Sequence, residues 1–259
     1  MALFPLKDDT PLKSISFQYI TVILIGLNVV LFLWELVQPD QERMVYALGA
    51  IPAVIFGLAE LPDDLSLIPG WVSLLTSLFL HGGWMHLIGN MLFLWIFGDN
   101  VEDSMGHLRY LAFYLLCGVL ATLMHAIVQP SSEAPLIGAS GAISGVLGAY
   151  LVLHPRARLL VLFMSIIPLR LPAWIVLGSW IGLQILSLGS TTGDVAWWAH
   201  IGGFIVGAIL IVPFRRRGTP LFDRLPSDPI VVQHQETRHA RSIFPNTVDP
   251  RTRRGGPWG

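Results

Sequence analysis

Apolar residues in this chain fall in long, nearly unbroken runs, without the two-residue alternation of a half-buried strand. Six runs stand out, at about Ile20–Val37, Gly83–Gly98, Leu108–Val128, Ile137–Leu153, Leu171–Leu188 and Val195–Phe214. A bilayer core of about 30 Å takes about 20 apolar residues as helix. The pattern predicts an all-α, polytopic membrane protein. Residues 18–214 form a bundle of six transmembrane helices, 1–17 an N-terminal segment, and 215–259 a basic, Pro-rich, disordered tail. One apolar stretch, Leu159–Pro168, is too short to span and is expected to be interfacial or re-entrant. The long segment Pro39–Gly70 mixes the apolar Ile51–Leu58 with Asp40, Glu42, Glu60, Asp63 and Asp64, which suits a structure lying in the outer interface. No small-residue cleavage site follows the first run, so no cleaved leader is expected.

Composition sharpens this. Hydrophobic residues make up 53% of the chain and charged residues 13%, against about 25% charged in soluble domains. The net charge of −1 is uninformative about partners. Its distribution is not: Lys7, Lys13, Arg109, Arg156, Arg158, Arg170 and Arg215–Arg217 all fall on one side of a six-span chain, and only Arg43 on the other. The positive-inside rule makes the first side cytoplasmic, with both chain ends inside. Nothing in the pattern calls for nucleic acid as a partner, and the lone Cys117 sits in an apolar run as a packing residue.

Polar groups inside spans are costly, and those that persist tend to carry function. In the second span His86 and Asn90 are one turn apart, on one face, where two donors can hold a developing negative oxygen. The pair could equally be an interhelical hydrogen-bonding device. The fourth span opens on Gly138-Ala139-Ser140-Gly141, which puts a serine beside the free N–H groups of a helix N-terminus. Ser144, one turn deeper, is a rival nucleophile, expected instead to bond back to the carbonyl one turn earlier. The sixth span opens on Ala199-His200-Ile201-Gly202-Gly203, and a histidine there is the natural base for a serine. Gly141, Gly145 and Ala149 match Ala199, Gly203 and Gly207 as small-residue stripes that let two helices approach closely. That approach would bring Ser140 to His200.

Depth is an independent check. Ser140 lies seven residues past Glu133 and His200 six past Asp194, or about 10 Å and 9 Å down if helical. His86 lies 13 residues above Asp99, about 20 Å from the inner face. All three reach one level near the outer side. No carboxylate shares it, so a Ser140–His200 dyad without an orienting acid is expected. His-Glu-x-x-His does not occur, and His107, His125 and His154 are isolated, so metal chemistry is not expected.

In this order, His81…His86-Leu87-Ile88-Gly89-Asn90, Gly98…Glu102…Gly106…Arg109, Gly138-Ala139-Ser140-Gly141 and Ala199-His200-Ile201-Gly202-Gly203, the chain resembles the rhomboid family of intramembrane serine proteases. The likeness runs from about Trp71 to Gly207. It implies Ser140 as nucleophile, His200 as general base, and His86, Asn90 and the Ser140 N–H as oxyanion hole, with no cofactor and no metal. It implies a structural network at Glu102, the basic six-helix form of a bacterial cytoplasmic membrane, and an active site toward the outer side. The partners implied are transmembrane protein substrates and membrane lipid. Two positions depart from the family pattern: Trp71-Val72 stands where Trp-Arg is common, and Ser144 where some members place an aromatic ring against the histidine. The alternatives are a non-catalytic, client-binding relative and a small-solute transporter; the second would predict inverted repeats, which the sequence lacks.

Overall fold

The structure is a computed structural model that describes residues 3–164, 166–189 and 196–223. In chain order these form strand β1 (Leu3–Asp8), helix α1 (Tyr19–Leu36), the short helices α2 (Gln41–Leu48), α3 (Pro52–Ile55) and α4 (Ser73–Thr76), and the long helices α5 (Trp84–Met105) and α6 (His107–Val128). Helix α7 (Ser140–Leu153), strands β2 (Arg158–Phe163) and β3 (Ile167–Pro172), and helices α8 (Ala173–Leu186) and α9 (Trp197–Phe214) complete the order. Three helices, α1, α6 and α9, are long and apolar enough to cross a membrane. Helix α5 is as long as α6, but its last two turns carry Asp99, Glu102 and Asp103. Helices α7 and α8 are apolar and shorter.

Helix α7 is the hub, buried along nearly its whole length. Its contact with α9 is made backbone to backbone. A Cβ built on Gly203 would collide with the carbonyl oxygen of Gly141, one on Gly207 with that of Gly145, and one on Gly148 with that of Phe204. The two expected stripes meet, and between apolar helices in lipid such close backbone packing is the main source of association. At 14 residues α7 is about 21 Å long, short of a 30 Å core by about a third. Residues 137–139, expected inside the fourth span, precede it. They belong to a non-helical segment held by Ala50 and Leu136, which exchange both backbone hydrogen bonds, and by Gly138 N–H donating to Ser77 O at 2.8 Å.

The opposite end of the bundle is laced by polar contacts. Glu102, fully buried, accepts from the backbone N–H groups of Ile20 and Thr21 and from the Thr21 hydroxyl, satisfying the first turn of α1, and lies 2.6 Å from His107 Nδ1. Asp103 accepts from the N–H groups of Lys13, Ser14 and Ile15. Gly106, at φ +84°, ends α5 and starts α6 in one residue, and a side chain there would meet the Arg216 guanidinium.

Three expectations need correction here. The all-α class omits a three-stranded antiparallel sheet of order β1-β2-β3. Leu159–Pro168 is not a re-entrant segment but most of a β-hairpin, with Leu159 and Val161 fully buried and Arg158 exposed. The run Leu159–Phe163 is apolar at every position, which hid the two-residue period from the sequence. Residues 215–223, expected in the disordered tail, are packed: Arg216 N–H donates to Ser104 O, Phe222 N–H to Val152 O, and Asp223 pairs with Lys13 at 2.8 Å. The remainder of the expected tail, 224–259, lies outside the described residues.

Candidate active site

The short α7 starts inside the bundle, so its first residue, Ser140, opens into a cleft of about 1010 Å³. Before it, Gly138 adopts φ +115°, a conformation open to glycine at little cost, and turns the chain into the helix. The N–H groups of its first three residues have no intrahelical partner.

His200 stands in the first turn of α9, across the glycine stripe. Its Nε2 lies 2.9 Å from Ser140 Oγ. Its Nδ1 lies 2.7 Å from Gln184 Oε1 on α8. Trp180, one turn earlier on α8, tilts its ring 35° to the imidazole at 5.9 Å, and Trp197 meets it edge-on at 6.4 Å. These two rings supply the aromatic support for which the sequence offered no candidate at Ser144. Ser144 donates its hydroxyl to Ser140 O at 2.6 Å, as its position on the helix predicted.

The donors of α5 converge on the same point. A Cβ on Gly138 would lie 2.6 Å from His86 Nε2 and 3.7 Å from Asn90 Nδ2, so both side chains abut the backbone two residues before Ser140. Gly82 N–H donates to His86 Nδ1 at 3.4 Å, which leaves the His86 proton on Nε2, aimed into the cleft. Asn90 Nδ2 donates one hydrogen to His81 Nε2 at 3.1 Å, and among the described residues nothing accepts the other. Behind it, His81 N–H donates to the buried Glu35 at 3.2 Å. The structure thus brings Ser140, His200, His86 and Asn90 together from α7, α9 and α5, with N–H donors on one side of the serine and a proton acceptor on the other. That arrangement suits attack on a carbonyl, with the oxyanion facing the donors.

Four contributors were missed from the sequence, Trp197 at the head of α9 among them. Gln184 and Trp180 sit in the fifth apolar run, and Gln184 is a buried amide in a largely apolar helix, which is the signal that marks it in the sequence. His125, set aside as isolated, lines the cleft from α6. Asp194, which gauges the depth of His200 in the sequence, lies outside the described residues.

Comparison with known proteins identifies the family. A family model described as the rhomboid domain matches residues 69–217. Rhomboid protein 1, mitochondrial, of Saccharomyces cerevisiae is 28% identical over 199 residues, covering 69% of this chain and 57% of its own. Presenilin-associated rhomboid-like protein, mitochondrial, of Bos taurus is 30% identical over 187 residues, 65% of this chain and 48% of its own. Rhomboid protease GluP of Bacillus subtilis is 34% identical over 160 residues, 62% of this chain and 30% of its own. The chain spans about half the length, or less, of the curated relatives it matches.

Proposed function

The chain belongs to the rhomboid family of membrane proteins, and we propose that it is a serine endopeptidase that cleaves transmembrane segments of other membrane proteins. The observation that carries this reading is the 2.9 Å separation of Ser140 Oγ and His200 Nε2, with His86 and Asn90 grouped at Gly138. Ser140 attacks the scissile carbonyl as His200 takes its proton. The oxyanion is held by His86, Asn90 and the Ser140 N–H. His200 returns the proton to the leaving amine, and water entering the cleft resolves the acyl-enzyme with the same histidine as base. The substrate helix must unwind locally, because a regular helix keeps its carbonyls in hydrogen bonds. No cofactor or metal enters this scheme.

In this reading α1, α5, α6, α7, α8 and α9 are six transmembrane helices. The β-sheet end, where residues 3–18 and 215–223 pack together, faces the cytoplasm of a bacterial cell, and the cleft faces outward. The clustering of Lys7, Lys13, Arg158, Arg170 and Arg215–Arg217 toward that end supports the orientation. A non-catalytic, client-binding role would not require the serine, histidine and both donors to converge.

The test is cleavage of a model transmembrane substrate in proteoliposomes by the wild-type protein, Ser140→Ala and Ser144→Ala. Wild type and Ser144→Ala are expected to cleave, Ser140→Ala to be inactive, and a fluorophosphonate to label Ser140. Cleavage by Ser140→Ala, or a label on Ser144, would overturn the reading.

A further inference from the structure

A neutral imidazole has two tautomers, and only the one protonated at Nδ1 offers an Nε2 lone pair to a serine hydroxyl. In a polar site a carboxylate commonly makes that choice. Here no Asp or Glu among the described residues touches the ring; its hydrogen-bond partners are Ser140 and Gln184 alone. Gln184 Oε1 lies 2.7 Å from Nδ1, and Ser140 Oγ lies 2.9 Å from Nε2 at the opposite corner of the ring. The glutamine is 8% exposed and sits on Ala173–Leu186, an apolar helix where an amide without a partner would be costly. Trp180, one turn earlier on the same face, meets the ring as well. Helix α8 thus supplies a ring surface and a polar contact to the same histidine.

We propose that Gln184 is a positioning residue, accepting the Nδ1–H bond of His200 and thereby fixing the tautomer whose Nε2 faces Ser140. The proposal rests on the Ser140–His200 reading above. An amide holds the tautomer as a carboxylate would, but adds no negative charge to favour the imidazolium form. Among the described residues the other titratable groups facing His200 are His86 from α5 and His125 from α6. Neither is an acid, so the charge at position 184 sets the acid limb of the rate profile.

The experiment compares kcat and KM of the wild-type protein, Gln184→Leu, Gln184→Glu and Ser140→Ala on one transmembrane substrate in proteoliposomes, from about pH 5 to about pH 9. Gln184→Leu is expected to lower kcat about 10- to 100-fold with KM within about twofold, as loss of base orientation predicts. Gln184→Glu is expected to keep kcat at high pH and to move the acid limb upward by about one unit or more, since a carboxylate favours His⁺. A purely structural glutamine would not shift that limb. Wild-type kcat at every pH in Gln184→Leu, or an unmoved acid limb in Gln184→Glu, would overturn the proposal; should Gln184→Leu fail to fold, Gln184→Glu decides. Failure of the wild type to cleave, or cleavage by Ser140→Ala, would instead count against the proteolytic reading.

Discussion

Gly207 lies two turns beyond His200 on α9 and touches no polar group of the cleft, yet Gly207→Ala is expected to abolish most of the activity. The added methyl would be driven into the Gly145 carbonyl, a backbone atom that cannot rotate away. Carbon–oxygen contacts settle near 3.3–3.6 Å, so α9 must withdraw from α7 by about 1 Å or more. His200 is seven residues away, about 10 Å along the axis and on the same face, so a rigid helix carries the shift to the dyad. The 2.9 Å hydrogen bond between Ser140 and His200 would stretch to about 4 Å, past hydrogen-bond range. A misplacement of about 1 Å can cost about 100-fold in rate. Overpacking also costs about 1–3 kcal/mol of stability, only partly offset by the roughly 1 kcal/mol by which alanine is the better helix former. The control is Gly26→Ala on α1, where a Cβ would meet nothing within 4 Å. Substrate cleavage, fluorophosphonate labelling and thermal unfolding in detergent should be measured on all three proteins. Gly26→Ala should match wild type. Wild-type kcat and labelling in Gly207→Ala would refute the claim that backbone contact at the stripe sets the dyad distance.

Two further outcomes follow from the opposite end. Glu102→Ala removes the acceptor for two backbone N–H groups and one hydroxyl at the start of α1, and should lower stability by about 3 kcal/mol, read as a drop in unfolding temperature, with the Ser140 label retained in the folded fraction. His154 follows the last residue of α7, and burial pushes its pKa down from 6.5 to about 4. The folded state resists its protonation while the unfolded chain does not, so this contribution is intact above about pH 6.5 and is lost as pH falls toward 4, with on the order of 3 kcal/mol at stake. His154→Gln should flatten that part of the stability profile; an unchanged slope in chemical unfolding between those pH values would refute it.

Much of the site was legible because its determinants are local. His86 and Asn90 at one-turn spacing, Ser140 between glycines, and His200 at the head of a small-residue stripe each state their helix face in the sequence. The stripes also predicted their own partner, since only small residues allow backbones into contact. What stayed hidden depends on contacts that no spacing encodes. Gln184 acquires its role from a helix 16 residues further on, and the apolar run Leu159–Phe163 shows its strand period only once β1 covers one edge and the bundle one face.

The expected depth of the dyad rests on a step that the structure overturns. Ser140 was expected about 10 Å below the outer surface on the premise that residues 133–140 are helical. They are not: Leu136 and Gly138 are tied by backbone hydrogen bonds to Ala50 and Ser77. In the proposed membrane orientation the depth follows instead from the shortness of α7. Fourteen residues reach about 21 Å from the inner end, leaving about 9 Å of a 30 Å core to be filled by irregular backbone. Irregular backbone at membrane depth is tolerated only where protein or a water-filled cavity satisfies it. The segment around α3 and α4 satisfies it on one side and the cleft over Ser140 on the other. In the proposed reading one feature, a helix that stops short, would thus set the serine below the surface, expose its N–H groups to the oxyanion, and open the route by which hydrolytic water arrives.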